Sequence, residues 1–132
     1  MPLSSYGRDL YADVIVGITS AAPSLWLVIC GTIVTDSDTG ATLNELSPRF
    51  LLIPGSGTWE QTSSGVRTYT GVTDFALEES DPAWGNVSSY AIVDSPTVGT
   101  GNVIFYGTIS PSFYAEGPMI LSFTDLVLEV PA

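Results

Sequence analysis

Two neighbouring apolar segments constrain the fold of this chain more than any other feature. The first, Val87–Val93, is rich in β-branched and aromatic residues and is ended by an Asp-Ser-Pro sequence at 94–96. The second begins at Val103, after a turn that contains Gly99 and Gly101. Strands that are apolar on both faces are usually covered on both. We therefore expect this pair at the centre of a sandwich or at a subunit interface.

Strand signals recur along the rest of the chain. They return about every 8–12 residues, separated by turns, which is typical of a sandwich or a barrel. The further predicted strands are 24–34, 49–53, 66–70, 72–76, 119–122 and 125–130. Segment 55–65 is predicted as a hairpin or a mobile loop, and segment 111–118 as a turn-rich link. The predicted fold class is all-β, an antiparallel β-sandwich or jelly-roll-like domain.

The first eighteen residues follow a different pattern. Leu10, Val14 and Ile18 fall at helical spacing, which predicts a short helix from about Arg8 to Gly17. Its β-branched tail makes a strand the alternative. We divide the chain into an N-terminal arm or short helix, residues 1–18, and a single β-sandwich domain, residues 19–132. The start lacks a signal-peptide pattern, which predicts synthesis in a cytoplasm without secretion.

The charge of the chain limits its partners. It has 14 acidic residues, three arginines, no lysine and no histidine, for a net charge of -11. This balance disfavours nucleic acid and anionic membranes, because phosphates need arginine or lysine partners. The mean hydropathy is +0.33, yet no apolar run of about 18 residues predicts a membrane span. So much apolar surface in one small domain predicts burial against other chains.

No pattern predicts catalysis, a cofactor or a metal site. Without histidine, no serine nucleophile has its usual base, and the single Cys30 forms neither a disulfide within the chain nor a zinc site. The Asp-x-Asp-x-Gly segment at 36–40 resembles the start of a calcium loop, but glycine stands at the fifth position, which favours a plain acidic turn. The carboxylates of segment 78–81 are interpreted as a solvated connection.

Large apolar side chains are assigned either to the core or to contacts with other chains. The predicted core residues are Trp26, Trp84, Ile92, Phe105 and Leu128. The predicted interface residues are Leu3, Tyr6, Leu10, Tyr11 and Trp59. Because Trp59 lies in a polar segment, it is the best tryptophan for an exposed contact with a partner or a glycan.

Several motifs resemble those of a family of small β-rich virion proteins of tailed bacteriophages, often labelled tail fiber proteins. They are Asp-Phe at 74–75, Asp-Pro-Ala-Trp-Gly-Asn-Val at 81–87, Ala-Ile-Val-Asp at 91–94, Gly-Asn-Val-Ile-Phe-Tyr-Gly at 101–107 and Leu-Val-Leu-Glu-Val at 126–130. The resemblance covers about residues 8–130 and is strongest over 84–107. These motifs are structural, so they specify the fold better than the role.

The resemblance implies a non-enzymatic structural protein located in the virion, after assembly in the host cytoplasm. A compact, acidic, apolar-rich domain is more similar to capsid decoration (cement) proteins, which clamp neighbouring capsomers, than to a fiber. We expect a homotrimer or homodimer that binds the major capsid protein or other virion proteins, largely through Met1–Ile18. The alternatives are a tail fiber, collar or baseplate component, and a carbohydrate-binding module that uses Trp59 and loop carboxylates.

Overall fold

A computed structural model describes residues 3–15, 24–52, 59–63, 66–71, 73–123 and 126–129. It confirms an all-β, antiparallel fold with one short N-terminal helix, α1, at Ser5–Ile15. The strands are β1 (Leu25–Cys30), β2 (Phe50–Leu52), β3 (Trp59–Ser63), β4 (Val66–Tyr69), β5 (Asp74–Leu77), β6 (Gly85–Val93), β7 (Val103–Ala115), β8 (Met119–Ser122) and β9 (Leu126–Glu129). The pairings among these strands do not establish a jelly roll.

The largest sheet has the strand order β2-β1-β6-β7, and all of its pairs are antiparallel. The predicted pairing of β6 with β7 is confirmed, and β6 also pairs with β1. The predicted central position holds for β6 only, because β7 is an edge strand of this sheet. Two smaller sheets, β3-β4-β9 and β5-β8, account for the remaining strands. The two inner strands of this sheet are β1 and β6, and both edges of each are hydrogen-bonded to a neighbouring strand.

The core has two parts, one on each face of the largest sheet. On the first face, Leu27 and Ile92 share a buried cluster with Phe75 and Leu126 of the smaller sheets. Sheet packing on sheet is the arrangement of a β-sandwich. On the second face, a smaller cluster is formed by Val28, Cys30, Val34, Ala91, Val93 and Val103. Burial on both faces explains why β1 and residues 91–93 of β6 are apolar without alternation.

The long connection 31–49 closes the second face of the largest sheet. Gly40 donates its N–H to the carbonyl of Gly101 at 2.9 Å, and Ser89 Oγ donates to the carbonyl of Thr32 at 2.5 Å. A Cβ on Gly40 would lie 1.9 Å from the Thr100 carbonyl oxygen, so only glycine permits this approach. The connection has no regular strand pairing of its own beyond isolated bridges, but it supplies Val34 to the second cluster.

The prediction of a turn-rich link at 111–118 is wrong for residues 111–115, because β7 continues to Ala115. Val87 pairs with Phe113 and Ser89 pairs with Thr108, so residues 109–112 bulge out opposite the single Ser88. Pro111 lies within this bulge, where a missing N–H costs no ladder hydrogen bond. Pairing with β6 then resumes at Phe113. The sequence did not predict this continuation, because proline usually ends a strand.

Other predicted bounds shift by a few residues or change their partners. The helix begins at Ser5 and not at Arg8, and its predicted end at Gly17 lies outside the described residues. The first long strand ends at Cys30, since the chain turns away at residues 31–32. The predicted strands 66–70 and 72–76 correspond to β4 and β5, which belong to different sheets.

The N-terminal segment packs onto the sheet and does not extend away from it as an arm. Leu3 is 5% exposed and forms a bridge with Phe105 of β7. The buried Ser4 donates its N–H to the Ile104 carbonyl at 2.8 Å and its hydroxyl to the Val103 carbonyl. Its Oγ also accepts the Gly7 N–H at 3.0 Å, which caps the helix. Residues 3–10 are thus part of the β domain.

Replacing Gly7 with alanine should destabilise the protein even though alanine is the better helix former. A Cβ at this position would lie 2.4 Å from the Ile104 carbonyl oxygen, so the helix would have to move away from β7. We expect a net loss of about 1–3 kcal/mol in the free energy of unfolding, measured by urea denaturation. Asp9→Ala, on the exposed side of the same helix, is the control and should be close to neutral or slightly stabilising. An equal response of both variants would contradict the close packing.

Candidate functional site

The predicted interface residues of the N-terminal segment occupy different positions on α1. Leu3 is buried inside the chain, so its side chain is not available to a partner, and Leu10 is half-buried against the core. Tyr6 and Tyr11 are 40% and 49% exposed. With 3.6 residues per turn, these two tyrosines flank the buried stripe of the helix on opposite sides. The surface available to a partner on α1 is therefore tyrosine-rich.

Trp59, the predicted exposed contact, is not an isolated exposed ring. It begins β3, is half-buried, and packs edge-on against Tyr69 with ring centroids 4.9 Å apart and an interplanar angle of 65°. Part of its surface is thus used for packing within the chain, as aromatic pairs in this geometry usually are. The described structure does not bring the loop carboxylates of segment 78–81 into a site with it.

Three of the predicted core residues are buried, namely Ile92, Phe105 and Leu128, at 0%, 7% and 9% exposure. The two tryptophans assigned to the core are only half-buried. Trp26 packs against the second cluster and lies opposite the exposed Leu51 in the ladder. Trp84 lies just before β6 and contributes to a surface groove. Both tryptophans, predicted as core residues, thus pack against the core from its edges.

The Asp-x-Asp-x-Gly segment forms two separate hydrogen-bond networks. Asp36 accepts a hydrogen bond from Ser5 Oγ at 2.6 Å and pairs with Arg8 at 3.2 Å; this hydrogen bond and this charge lower the pKa of the Asp36 carboxyl. Asp38 accepts from the Thr35 N–H at 2.7 Å and from Thr42 Oγ1 at 2.8 Å. Within the described ranges, no group of three potential metal ligands from His, Cys, Asp and Glu is found.

The carboxylates of segment 78–81 lie in an exposed turn. Asp81 accepts the Glu78 N–H at 2.8 Å, and the Asp81 N–H donates to the Glu78 carbonyl at 3.1 Å. Glu78, Glu79 and Asp81 are all exposed. Glycoside hydrolysis needs two carboxylates that face each other across a cleft, whereas these three follow one another along a single turn. The geometry therefore does not support that chemistry here.

Cys30 has the environment of a packing residue. Its side chain is fully buried in the second cluster. Burial, and to a lesser degree the nearby Glu45 carboxylate, raise the pKa of the thiol to about 12. The reactive form of cysteine is the thiolate, so a thiol with this pKa is a poor nucleophile and a poor metal ligand near neutral pH.

Two surface grooves adjoin the β5-β8 ribbon. The larger one, about 490 Å³, is lined by Tyr90, Ile109, Phe123 and other residues of β7, β8 and β9. The smaller one, about 190 Å³, lies between β5, the segment before β2 and the segment before β6. Its lining is Ser47, Pro48, Arg49, Phe50, Asp74, Phe75, Ala76 and Trp84. Of the two, the smaller groove contains the charged groups.

The smaller groove is lined by three aromatic residues and includes the acidic residue Asp74 of β5. Phe50 and Phe75 pack with ring centroids 5.5 Å apart, and the half-buried Trp84 lies in the same lining. Asp74 is exposed, and its Oδ1 accepts a hydrogen bond from Ser122 Oγ in the facing strand. Asp74, Phe50 and Trp84 come from three separate parts of the sequence, so no local motif could have predicted that they meet.

The guanidinium of Arg49 is directed away from that carboxylate. Its Nε and Nη2 donate to Glu45 at 2.8 and 2.9 Å, and its Nη1 donates to the Ser95 carbonyl at 2.7 Å. The side chains of this ion pair are 0% and 3% exposed. Arg49 therefore does not present its charge to the groove, because its buried guanidinium is neutralised by Glu45.

The fold and the grooves define an acidic, antiparallel all-β domain with an N-terminal helix. Searches with the chain found no matching protein-family model and no matching curated protein. Within the described part of the chain, no helix has the length and apolar character needed to cross a membrane.

Proposed function

We propose that this chain is a non-enzymatic structural protein of a bacteriophage virion, a capsid decoration protein that oligomerises on the outer capsid surface and stabilises contacts between capsomers. Two observations support this proposal: the 84–107 region resembles small phage virion proteins, and the surface of the domain carries exposed apolar side chains and an excess of acidic residues. On this proposal, the protein acts through surfaces that contact other chains and not through a reaction centre.

The observation that supports this proposal best is the set of large apolar side chains that remain exposed. They are Tyr6, Tyr11, Ile33, Leu51, Val98, Tyr114 and Ile120, with exposures between 40% and 66%. Single exposed apolar residues are ordinary on soluble proteins. Here seven occur among the described residues of a chain in which only 13% of residues are charged, so their burial against neighbouring subunits would stabilise an assembly.

The charge distribution supports a protein partner with basic groups. Two of the three arginines form ion pairs within the chain, Arg8 with Asp36 and Arg49 with Glu45. Within the part of the chain that the structure describes, Arg67 is the only arginine without an ion pair. The acidic residues far outnumber these cations, so the domain attracts basic surfaces and repels phosphates.

The helix α1 supplies a defined contact surface for such a partner. Leu3 and Ser4 hold its start against β7, and the salt bridge of Arg8 with Asp36 joins it to the connection 31–49. Tyr6 and Tyr11 are thereby carried on a supported element and not on a free arm. Tyrosine is enriched in interfaces because its ring buries a large area at a small entropy cost.

Quantifying the chain in purified particles against the major capsid protein tests this proposal. A decoration protein should be present in numbers comparable with the capsid subunits, and the Tyr6→Ser, Tyr11→Ser double variant should lower its occupancy on shells that lack it. The matched control is the exposed Asp9→Ser on the same helix, which should bind like the unmodified chain. Only a few copies per particle would instead favour the tail fiber, collar or baseplate alternative. Absence from particles would refute a virion role.

A further inference from the structure

We propose that this chain forms a homodimer in which strand β8, Met119–Ser122, pairs antiparallel with β8 of a second copy. The inference rests on the proposed function for its premise, that copies of the chain associate, and it names the surface through which they do so. Three features of the molecule point to this surface: the free edge of β8, the groove beside that edge and the lack of charged residues in the strand.

The edge of β8 that faces away from β5 carries backbone groups without a ladder partner among the described residues, where β5 is the only strand that pairs with β8. Just after β8, the Phe123 N–H donates to Thr73 Oγ1 at 3.0 Å, and the Thr73 hydroxyl donates to the Phe123 carbonyl at 2.8 Å, both on the β5 side. Successive residues of a strand direct their N–H and C=O groups to opposite edges. Those of Leu121 therefore face β5, whereas those of Ile120 and Ser122 face away and form a template for another strand.

The larger groove lies along this free edge. Its lining includes residues 121–123 at the end of β8 and residues 109–110 of the β7 bulge, but no residue of β5. It is therefore on the side of β8 that carries the free backbone groups. Tyr90 and Leu126 complete the lining, in which no residue is charged. The volume of about 490 Å³ leaves room for an apolar strand to approach the edge.

A second β8 matches this edge in its own hydrogen-bonding groups. With a twofold axis at Leu121, Ile120 of each copy lies opposite Ser122 of the other, so the free groups of both copies find partners in a closed, symmetric contact. The two Leu121 side chains then lie side by side on the face that borders the groove. Ile120 is 66% exposed, the highest value among the large apolar side chains of the described residues, and it gains cross-strand neighbours in this pairing.

The charge of the chain favours β8 for a contact between copies. Each copy carries a net charge of -11, so two copies repel each other wherever acidic residues would meet. The sequence of β8, Met-Ile-Leu-Ser, has no charged residue. A basic partner would gain nothing electrostatically from such an edge. Strand β7 is an uncharged edge as well, but the bulge at 109–112 and Pro111 within it oppose pairing with another strand.

Sedimentation velocity of the full chain over a range of protein concentrations tests the proposal, and we expect a monomer–dimer equilibrium. Ile120→Glu adds a carboxylate on each side of the twofold axis and should raise the dissociation constant at least about tenfold. Leu51→Glu is the matched control, since Leu51 is a 41% exposed residue of another edge strand, β2, and this variant should dimerise like the unmodified chain. Circular dichroism verifies that both variants are folded.

Leu121→Cys tests the register. In the proposed pairing the two introduced Cβ atoms lie about 4.5 Å apart, so oxidised glutathione should join two copies through a disulfide. The native Cys30 is buried and its pKa is raised to about 12, so it should not react. Leu51→Cys is the control and should stay unlinked.

Four results would each overturn the proposal: a monomer at every concentration, an unchanged dimer in Ile120→Glu, equal losses in the two glutamate variants, or no cross-link in Leu121→Cys. The virion role is tested separately. A dimer that Ile120→Glu dissociates, formed by a chain absent from virions, would refute only the virion role. A chain abundant in virions but monomeric in solution would refute only the β8 pairing.

Discussion

Replacing Arg49 with methionine should lower the free energy of unfolding by about 3–5 kcal/mol. The side chain of Glu45 is 3% exposed and receives two hydrogen bonds from this guanidinium. Without them, the buried carboxylate would keep only the Gly99 N–H, at 3.0 Å. The loss of the bond from Arg49 to the Ser95 carbonyl would also release the turn between β6 and β7. Urea denaturation followed by tryptophan fluorescence measures the change.

Arg8→Met provides the matched control, since it removes the same side-chain type from an exposed ion pair. The side chains of Arg8 and Asp36 are 52% and 45% exposed, so the loss should stay within about 1 kcal/mol. Removing both buried charges, in the Glu45→Leu, Arg49→Met double variant, should recover much of the stability lost in Arg49→Met alone. Similar losses for Arg8→Met and Arg49→Met would show that the Glu45–Arg49 pair is solvated.

Replacing Leu3 with alanine should destabilise the whole domain by about 2–5 kcal/mol, as expected for truncation of a core leucine. Leu3 is 5% exposed, belongs to the main buried cluster and bridges Phe105. Because its packing partner lies in the largest sheet, the loss should appear in global unfolding and not as local fraying. Thermal and urea denaturation, each followed by circular dichroism, measure the change.

Tyr11→Ala is the control for this second variant, since it truncates a larger side chain of the same segment. Tyr11 is 49% exposed, so the loss should be below about 1 kcal/mol. If Leu3→Ala were as mild as Tyr11→Ala, the N-terminal segment would be an independent arm. The same packing makes deletion of residues 1–18 a poor test of capsid binding, because it would expose Phe105 and remove the Ser4 contacts with β7.

The pairing of β6 with β7 could be predicted from the sequence because its signals are local. The apolar run Val87–Val93, its Asp-Ser-Pro end and the glycines of the following turn lie within a few residues of one another. In the structure, Gly99 and Gly101 have positive φ values of 83° and 85°, which explains the need for glycine there. Strand β8, Met119–Ser122, was predicted with its observed bounds for the same reason.

The continuation of β7 past Pro111 could not be predicted, since proline usually ends a strand. The bulge that accommodates Pro111 depends on pairing with β6 across the sheet. The position of Leu3 was mispredicted for a related reason. Its partner, Phe105, lies about a hundred residues away, and an apolar residue near the N-terminus has the same local pattern whether it packs inside or outside.

The sequence alone determined the all-β class, the pairing of β6 with β7 and the excess of acidic over basic residues, because these follow from local periodicity, turn residues and composition. The tertiary structure alone decided that the first residues belong to the domain, that Arg49 is neutralised by Glu45, and that Phe50, Asp74 and Trp84 line one groove. Those features depend on which strands pair and in what register, and register brings together residues whose spacing along the chain carries no signal.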